Sequence, residues 1–310
     1  MTISLGLIQW VPCTTTLLSF CMNAMTAEEQ KRFTTETKAF AADLSNRGYR
    51  MEAPWGSDSS AVVSRFVNIE RLVFSMRLLR RGLKKLLATS PESFASLRQR
   101  LITSHAALCA VHFVLGVGDR HLGNFLLDKT SGDLIGIDFG YAFGVTLALP
   151  VPEYVPMRLT SSIRELLEPS GPAGSFGSTL SRTLTTLRYH SNLILPALQT
   201  FIEENCTLNW SAYGQIFGQS GEDFQRSRLT LIKRKLIGFC PTELLIEDLR
   251  LRFGSQTWFN FVESVVRETV AGREQSQGVL SPIEQARRLV CLSSCPELLS
   301  RMHASWNSCL

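Results

Sequence analysis

Two short motifs, separated by what reads as a hairpin, constrain this chain more than any other feature. The first is Gly116-Val117-Gly118-Asp119-Arg120-His121-Leu122-Gly123-Asn124, and the second is Ile137-Asp138-Phe139-Gly140. Asp119 lies five residues before Asn124, and Asp138 follows 14 residues after it. In between, the apolar segments Asn124 to Leu127 and Leu134 to Ile137 flank the turn Lys129-Thr130-Ser131-Gly132-Asp133. A hairpin of that length returns Asp138 to the neighbourhood of Asp119 and Asn124. Two carboxylates and an amide then share one place. Mg²⁺ is a hard cation, held by one or two protein oxygens together with phosphates and waters. Phosphoryl transfer asks for such ligands and for a carboxylate beside the attacking hydroxyl. Either motif alone is weak, because short patterns recur by chance. Both in order across one hairpin are specific.

The surroundings read as mainly α with a small β element. Leu5 to Val11 reads as a buried strand ending at Pro12, and Thr14 to Met25 as a helix. Thr26-Ala27-Glu28-Glu29 has capping-box spacing. Residues 43–60 read as a loop, and Ala61 to Ala88 as one long helix. Ser90-Pro91 starts another helix that runs to about Leu115. Residues 138–157 have no helical period and read as a long loop. From Arg158 onward the pattern is helical, with breaks expected at 169–178, 190–192, 205–212, 218–221 and 272–282.

Charge and cysteine usage exclude several classes. The net charge of +5 over 310 residues is too weak to argue for a nucleic-acid-binding face. The densest basic run, Arg77 to Lys85, spaces its charges between leucines, as on an amphipathic helix with a solvated basic face, a partner- or DNA-facing role being the alternative. The eight cysteines form no C-x-x-C pair, which suits reduced, buried thiols. No signal-peptide pattern opens the chain, and no apolar run reaches the ~18 residues of a membrane helix. His105 and His112 stand seven apart on one helix without an acidic or cysteine partner at ligand spacing, and read as packing residues.

The Asp-to-Asn spacing and the Asp-Phe-Gly triplet also occur in protein kinases. The order Asp119-Arg120-His121, with Asn124 following, resembles the phosphatidylinositol 3-kinase-related protein kinases. Residues Leu5 to Pro12 resemble that family's hinge, and Pro156-Met157-Arg158-Leu159-Thr160 the segment closing the activation loop. Ile135 to Gly144, Leu149 to Glu153 and Lys233 to Leu236 carry the resemblance to its DNA-repair branch. It implies a protein-kinase-like C-lobe with residues 1–12 as hinge strand, 13–278 as lobe and 279–310 as an FATC-like segment. Within the lobe, 116–124 would be the catalytic loop and 138–160 the activation loop. Asp119 would be the base or orienter for the substrate hydroxyl, and His121 would stabilise charge on the transferring phosphate. Asn124 and Asp138 would hold Mg²⁺. Trp10 and Val11 would face the adenine of ATP, with Thr16 at the rim and Leu126 and Ile137 as the floor. The family implies Ser/Thr protein substrates, a nuclear location, a role in non-homologous end joining, and the Ku heterodimer and DNA ends as partners of regions outside this segment.

Lipid kinases carry the same Asp-Arg-His order. From Tyr141 to Met157 the chain has no Lys or Arg. A phosphoinositide head group needs such cations near the transferring phosphate, so a protein hydroxyl is the expected acceptor and a phosphatidylinositol the alternative. No Gly-rich loop and no lysine strand precede the hinge. The chain is therefore expected to be a C-lobe and tail, a fragment of a larger protein. A catalytically incompetent lobe acting only as a binding module is the other alternative.

Overall fold

A 25-residue helix, Pro91–Leu115, delivers the chain to the first motif. Its start is local chemistry. Ser90 Oγ accepts the Ser93 amide at 3.1 Å, Ser93 Oγ accepts the Ser90 amide at 3.0 Å, and Pro91 fills the first position. Its end is Gly116 at φ +62°, where a Cβ would stand 2.5 Å from Gly144 N. Only glycine fits that turn.

The computed structural model describes residues 9–46, 59–204, 208–254, 260, 263, 264, 266, 267, 278–303, 306 and 308–310. The described elements are β1 (Thr14–Thr16), α1 (Leu17–Ala24), α2 (Ala27–Asn46), α3 (Ser59–Met76) and α4 (Leu78–Gly82), the last running into a π-turn at Leu83–Leu87. Then come α5 (Pro91–Leu115), β2 (Phe125–Asp128), β3 (Leu134–Gly136), α6 (Ser161–Leu167) and α7 (Ser175–Tyr189). The rest are α8 (Ser191–Glu204), α9 (Trp210–Ile216), α10 (Gly221–Ile237), α11 (Pro241–Phe253), α12 (Pro282–Ser293) and α13 (Pro296–Leu299). This is the expected mainly helical, kinase-like architecture with a small β element.

The three strands form one antiparallel sheet in the order β1-β2-β3. Thr16 pairs with Leu126, and Leu126 with Ile135. Phe125 and Leu127 point to the opposite face and enter the core, where Phe125 packs against His105 and His112 of α5. Burying each contributes about 1.5–3 kcal/mol. A one-residue slip would exchange the two faces, so core burial sets the register. On the far side of α5 lies α7, which contributes Phe176, Leu180 and Leu184. The segment after residue 278 packs back on the fold: Leu310 is fully buried, and its carbonyl accepts the Ser162 amide at 3.3 Å.

Several sequence expectations change. Residues 5–8 lie outside the described residues, and Gln9 to Val11 are irregular rather than a buried strand. Trp10 is 72% exposed. The strand instead forms at Thr14–Thr16, where β-branched residues pair with β2 after a turn through Cys13 at φ +56°. The helix expected from Thr14 therefore begins at Leu17, and Thr16 caps it by accepting the Ser19 amide at 3.1 Å. The single long helix over 61–88 breaks at Arg77, which takes φ +52° and turns Leu78 and Leu79 into the core. Its basic face is not simply solvated, because Arg80 pairs with Glu165 at 2.7 Å and Arg81 with Glu29 at 2.6 Å. The break expected at 190–192 shrinks to His190. The Ser90 start, the Thr26–Glu29 capping box and the hairpin form as expected.

Candidate active site

Beyond α5 the backbone makes a tight loop held by the stretch that follows Gly140. Gly118 N donates to Tyr141 O, Phe143 N to Leu115 O, and Gly144 N to Gly116 O, each at 2.8 Å. The loop before Asp119 and the loop after Asp138 are thereby zipped together. Both aspartates sit in the left-handed region, Asp119 at φ +56° and Asp138 at φ +55°. Asp is among the few non-glycine types that tolerate it, at a cost on the order of 1 kcal/mol. Such strain persists only where neighbours over-determine it.

The neighbours are explicit. Asn124 donates from Nδ2 to the Asp119 carbonyl at 2.8 Å. Arg120 is 2% exposed and spends its guanidinium on backbone. Its Nε donates to Gly118 O at 2.7 Å, its Nη1 to Ile137 O at 2.7 Å, and its Nη2 to Asp138 O. One buried cation thus ties the Asp119 loop to the Asp138 turn. Its guanidinium also lies 5.5 Å from the Phe139 ring centroid. The half-exposed His121 accepts the Gly123 amide at Nδ1, 3.0 Å away. That places the proton of the neutral ring on Nε2, which stands 4.0 Å from Asp119 Oδ2.

The structure therefore brings Asp119, His121, Asn124 and Asp138 into one cluster. The apolar residues expected around adenine divide. Thr16 and Leu126 are direct cross-strand partners, and the Ile137 amide donates to Asn124 O at 3.1 Å, which extends the ladder one step past β3. By strand alternation Thr16, Leu126, Ile135 and Ile137 occupy one face. Leu126 is 3% exposed yet stands outside the main core cluster. Trp10 and Val11 precede this sheet. Val11 O accepts from Thr14 Oγ1 at 2.9 Å, while Trp10 stands open to solvent.

The donor set fits Mg²⁺. With its Nδ2 committed to Asp119 O, Asn124 has its carbonyl oxygen left as a hard donor, and the exposed Asp138 supplies carboxylate oxygens. Among the described residues no three His, Cys, Asp or Glu side chains gather as a closed metal cage. An open pair of oxygens is what a cation shared with phosphates requires.

Three participants carry little or no signal of their role in the sequence. Arg120 stands inside the first motif, where nothing local says that its side chain turns inward to the backbone. Arg158 is buried and donates to Arg120 O at 3.3 Å and Trp306 O at 2.6 Å. Glu153 is the lone charged residue between Tyr141 and Met157, and that isolation is the one hint the sequence holds. Both of its carboxylate oxygens accept the Asp119 amide at 2.9 Å. His105 and His112 pack as expected. His105 is 1% exposed, with Nε2 donating to Arg158 O at 2.8 Å.

The family described as phosphatidylinositol 3- and 4-kinase matches residues 1–211. The chain is 32% identical to the DNA-dependent protein kinase catalytic subunit of Gallus gallus over 99% of its own length and 8% of that protein's. It is 32% identical to the protein of that name from Dictyostelium discoideum, over 75% of this chain and 6% of the relative. The chain thus spans less than a tenth of the length of these relatives. Among solved structures, the FAT and kinase domain of CtTel1 superposes with a TM-score of 0.62 at 20% identity, over 97% of this chain and 18% of that one. Because that family match covers more than half of its 310 residues, the chain belongs to the phosphatidylinositol 3- and 4-kinase family.

Proposed function

We propose that this chain is the catalytic lobe of a Ser/Thr protein kinase of the DNA-dependent protein kinase type, moving the γ-phosphate of ATP to protein hydroxyls. The observation that carries the reading is the Arg120 clamp, which holds Asp119, Asn124 and Asp138 in one cluster. Asp119 is the carboxylate that orients the substrate hydroxyl and accepts its proton. His121 presents its Nε2–H toward the transferring phosphate. Asn124 and Asp138 would hold Mg²⁺, which when bound neutralises phosphate charge. The face made by Thr16, Leu126 and Ile137 would lie under adenine, with Val11 and Trp10 at its edge.

The acceptor is read as protein rather than lipid. Residues 141–157 carry no cation, and the nearby Arg120 is committed to three carbonyls. Similarity to DNA-dependent protein kinase supports a nuclear role in double-strand-break repair by non-homologous end joining. The Ku heterodimer and DNA ends would meet regions outside this chain. Residues 1–12 would serve as hinge and 279–310 as an FATC-like tail. The exposure of Trp10 favours one second reading, in which the chain by itself binds partners without turnover.

Incubation with Mg²⁺-ATP and either a Ser-Gln peptide or phosphatidylinositol vesicles separates these readings. Peptide phosphorylation that is lost in Asp138→Ala is expected. Lipid phosphorylation alone would overturn the protein assignment, and turnover of neither would favour the binding lobe.

A further inference from the structure

Glu153 lies 34 residues beyond Asp119, in the loop that follows the Asp138 turn, yet it makes a charge-assisted contact with the Asp119 backbone. The Asp119 amide is shared between Oε1 and Oε2 at 2.9 Å each. The Asp119 carbonyl is held by Asn124 Nδ2 at 2.8 Å. A residue in a strained left-handed conformation is thus pinned at both ends of its backbone, one end by the catalytic loop itself and the other by the activation loop. Space around the carboxylate is closed. A Cβ on Gly118 would fall 2.6 Å from Glu153 Oε2 and 2.5 Å from Thr146 Oγ1, so a glycine is required for the two loops to approach this closely.

We propose that Glu153 is a positioning residue that fixes the backbone of Asp119 and makes the aim of that carboxylate depend on an ordered activation loop. This rests on the reading of Asp119 as the group facing the substrate hydroxyl. The Thr146 hydroxyl shares the Glu153 carboxylate with the Asp119 amide. When the loop carrying Glu153 is displaced, Asp119 loses the partner of its amide and relaxes toward an unstrained conformation. The carboxyl itself is pushed up to about 7, first by burial and then by the negative charge of Asp119, with the Asp119 amide, Arg120 and the Thr146 hydroxyl opposing. Other charges face it too. Arg158 lies close enough to interact, and His112, Lys235 and Asp248 line the same cavity of about 90 Å³. Protonation near neutrality weakens the contact, so the grip on Asp119 loosens as pH falls through about 7.

Two readouts on the full chain test this. The first is the amide shift of Asp119 in ¹⁵N-aspartate-labelled protein across pH 6 to 8. It is expected to titrate in the native chain and to lie flat in Glu153→Gln, which keeps the size and one acceptor oxygen. An amide that does not titrate, or titrates equally in Glu153→Gln, would overturn the proposal. The second is peptide turnover, where Glu153→Gln is expected to lower kcat about threefold and Glu153→Ala about 30-fold, with KM for ATP within about twofold. Equal kcat for all three proteins would also overturn it. A titrating Asp119 amide in a chain that phosphorylates neither peptide nor lipid would uphold the Glu153 contact and remove the kinase reading instead.

Discussion

Arg120 donates to the Ile137 carbonyl at 2.7 Å and thereby joins the loop bearing Asp119 to the turn bearing Asp138. A guanidinium suits this task because its planar fork presents several donors at once. Lysine could satisfy only part of it. Removing the fork leaves the buried Gly118 carbonyl and the part-buried carbonyls of Ile137 and Asp138 short of a donor, at up to about 1–3 kcal/mol for each one not rescued by water. Arg120→Ala is expected to lower stability by about 3 kcal/mol and to abolish turnover. Arg120→Lys should retain part of the stability and little of the turnover. Thermal unfolding and the peptide assay read the two effects separately.

Under the proposed roles, the two aspartates separate chemistry from cofactor binding. Asp119→Asn keeps the size and the backbone bonds to Glu153 and Asn124 but loses the proton acceptor. Turnover should fall by at least about 100-fold while ATP affinity stays within a few-fold. Asp138→Ala removes the proposed cation ligand, so Mg²⁺-dependent ATP binding should weaken as well. Calorimetric titration with ATP, with and without Mg²⁺, distinguishes them. Near-normal turnover in Asp119→Asn would remove it from its role as base.

Arg158 stacks 4.6 Å from the Trp306 ring centroid and donates to the Trp306 carbonyl at 2.6 Å. The same Nη1 reaches Arg120 O at 3.3 Å. The C-terminal segment therefore touches the loop bearing Asp119 through the Arg158 side chain. Trp306→Ala should cost about 3–5 kcal/mol, because it removes a buried aromatic and leaves a cavity over a buried cation. Urea unfolding of the variant measures this. A loss below about 1 kcal/mol would show that the tail is not anchored there.

Buried histidines should make the fold sensitive to acid. Burial lowers His105 from 6.5 to about 4 and His112 from 6.5 to about 3. The unfolded chain binds protons at these positions before the folded chain does. The stability of neutral His105 and His112 is thus fully present above pH 6.5 and declines as pH falls toward 4. A tenfold difference in proton affinity between the folded and unfolded chain is worth about 1.4 kcal/mol, so the decline should amount to a few kcal/mol. His112 Nε2 has no hydrogen-bond partner, so His112→Leu should flatten the slope between pH 6.5 and 4 at little cost near neutrality. Denaturant unfolding at a series of pH values checks it. An unchanged slope would assign the acid sensitivity to other groups.

The parts of the fold legible in the sequence are the local ones. The Ser90-Pro91 start, the Thr26–Glu29 capping box and the 125–136 hairpin depend on residues a few positions apart. The regions that depart from the sequence pattern depend on distant partners. Thr14 to Thr16 have a helical neighbourhood, but pairing with Leu126 to Asp128 makes them a strand. Arg80 and Arg81 have the spacing of a solvated face, but Glu165 and Glu29 come to meet them.

The site divides in the same way. By itself the sequence determined which residues meet, since Asp119, Asn124 and Asp138 are spaced so that one hairpin brings them together. Only the tertiary structure decided how they are held. Arg120, Glu153 and Arg158 act on backbone groups 17, 34 and 148 residues away, respectively. Their roles come from burial, which strengthens a charged bond to a carbonyl or amide and makes its loss costly. No local pattern of residues encodes that burial.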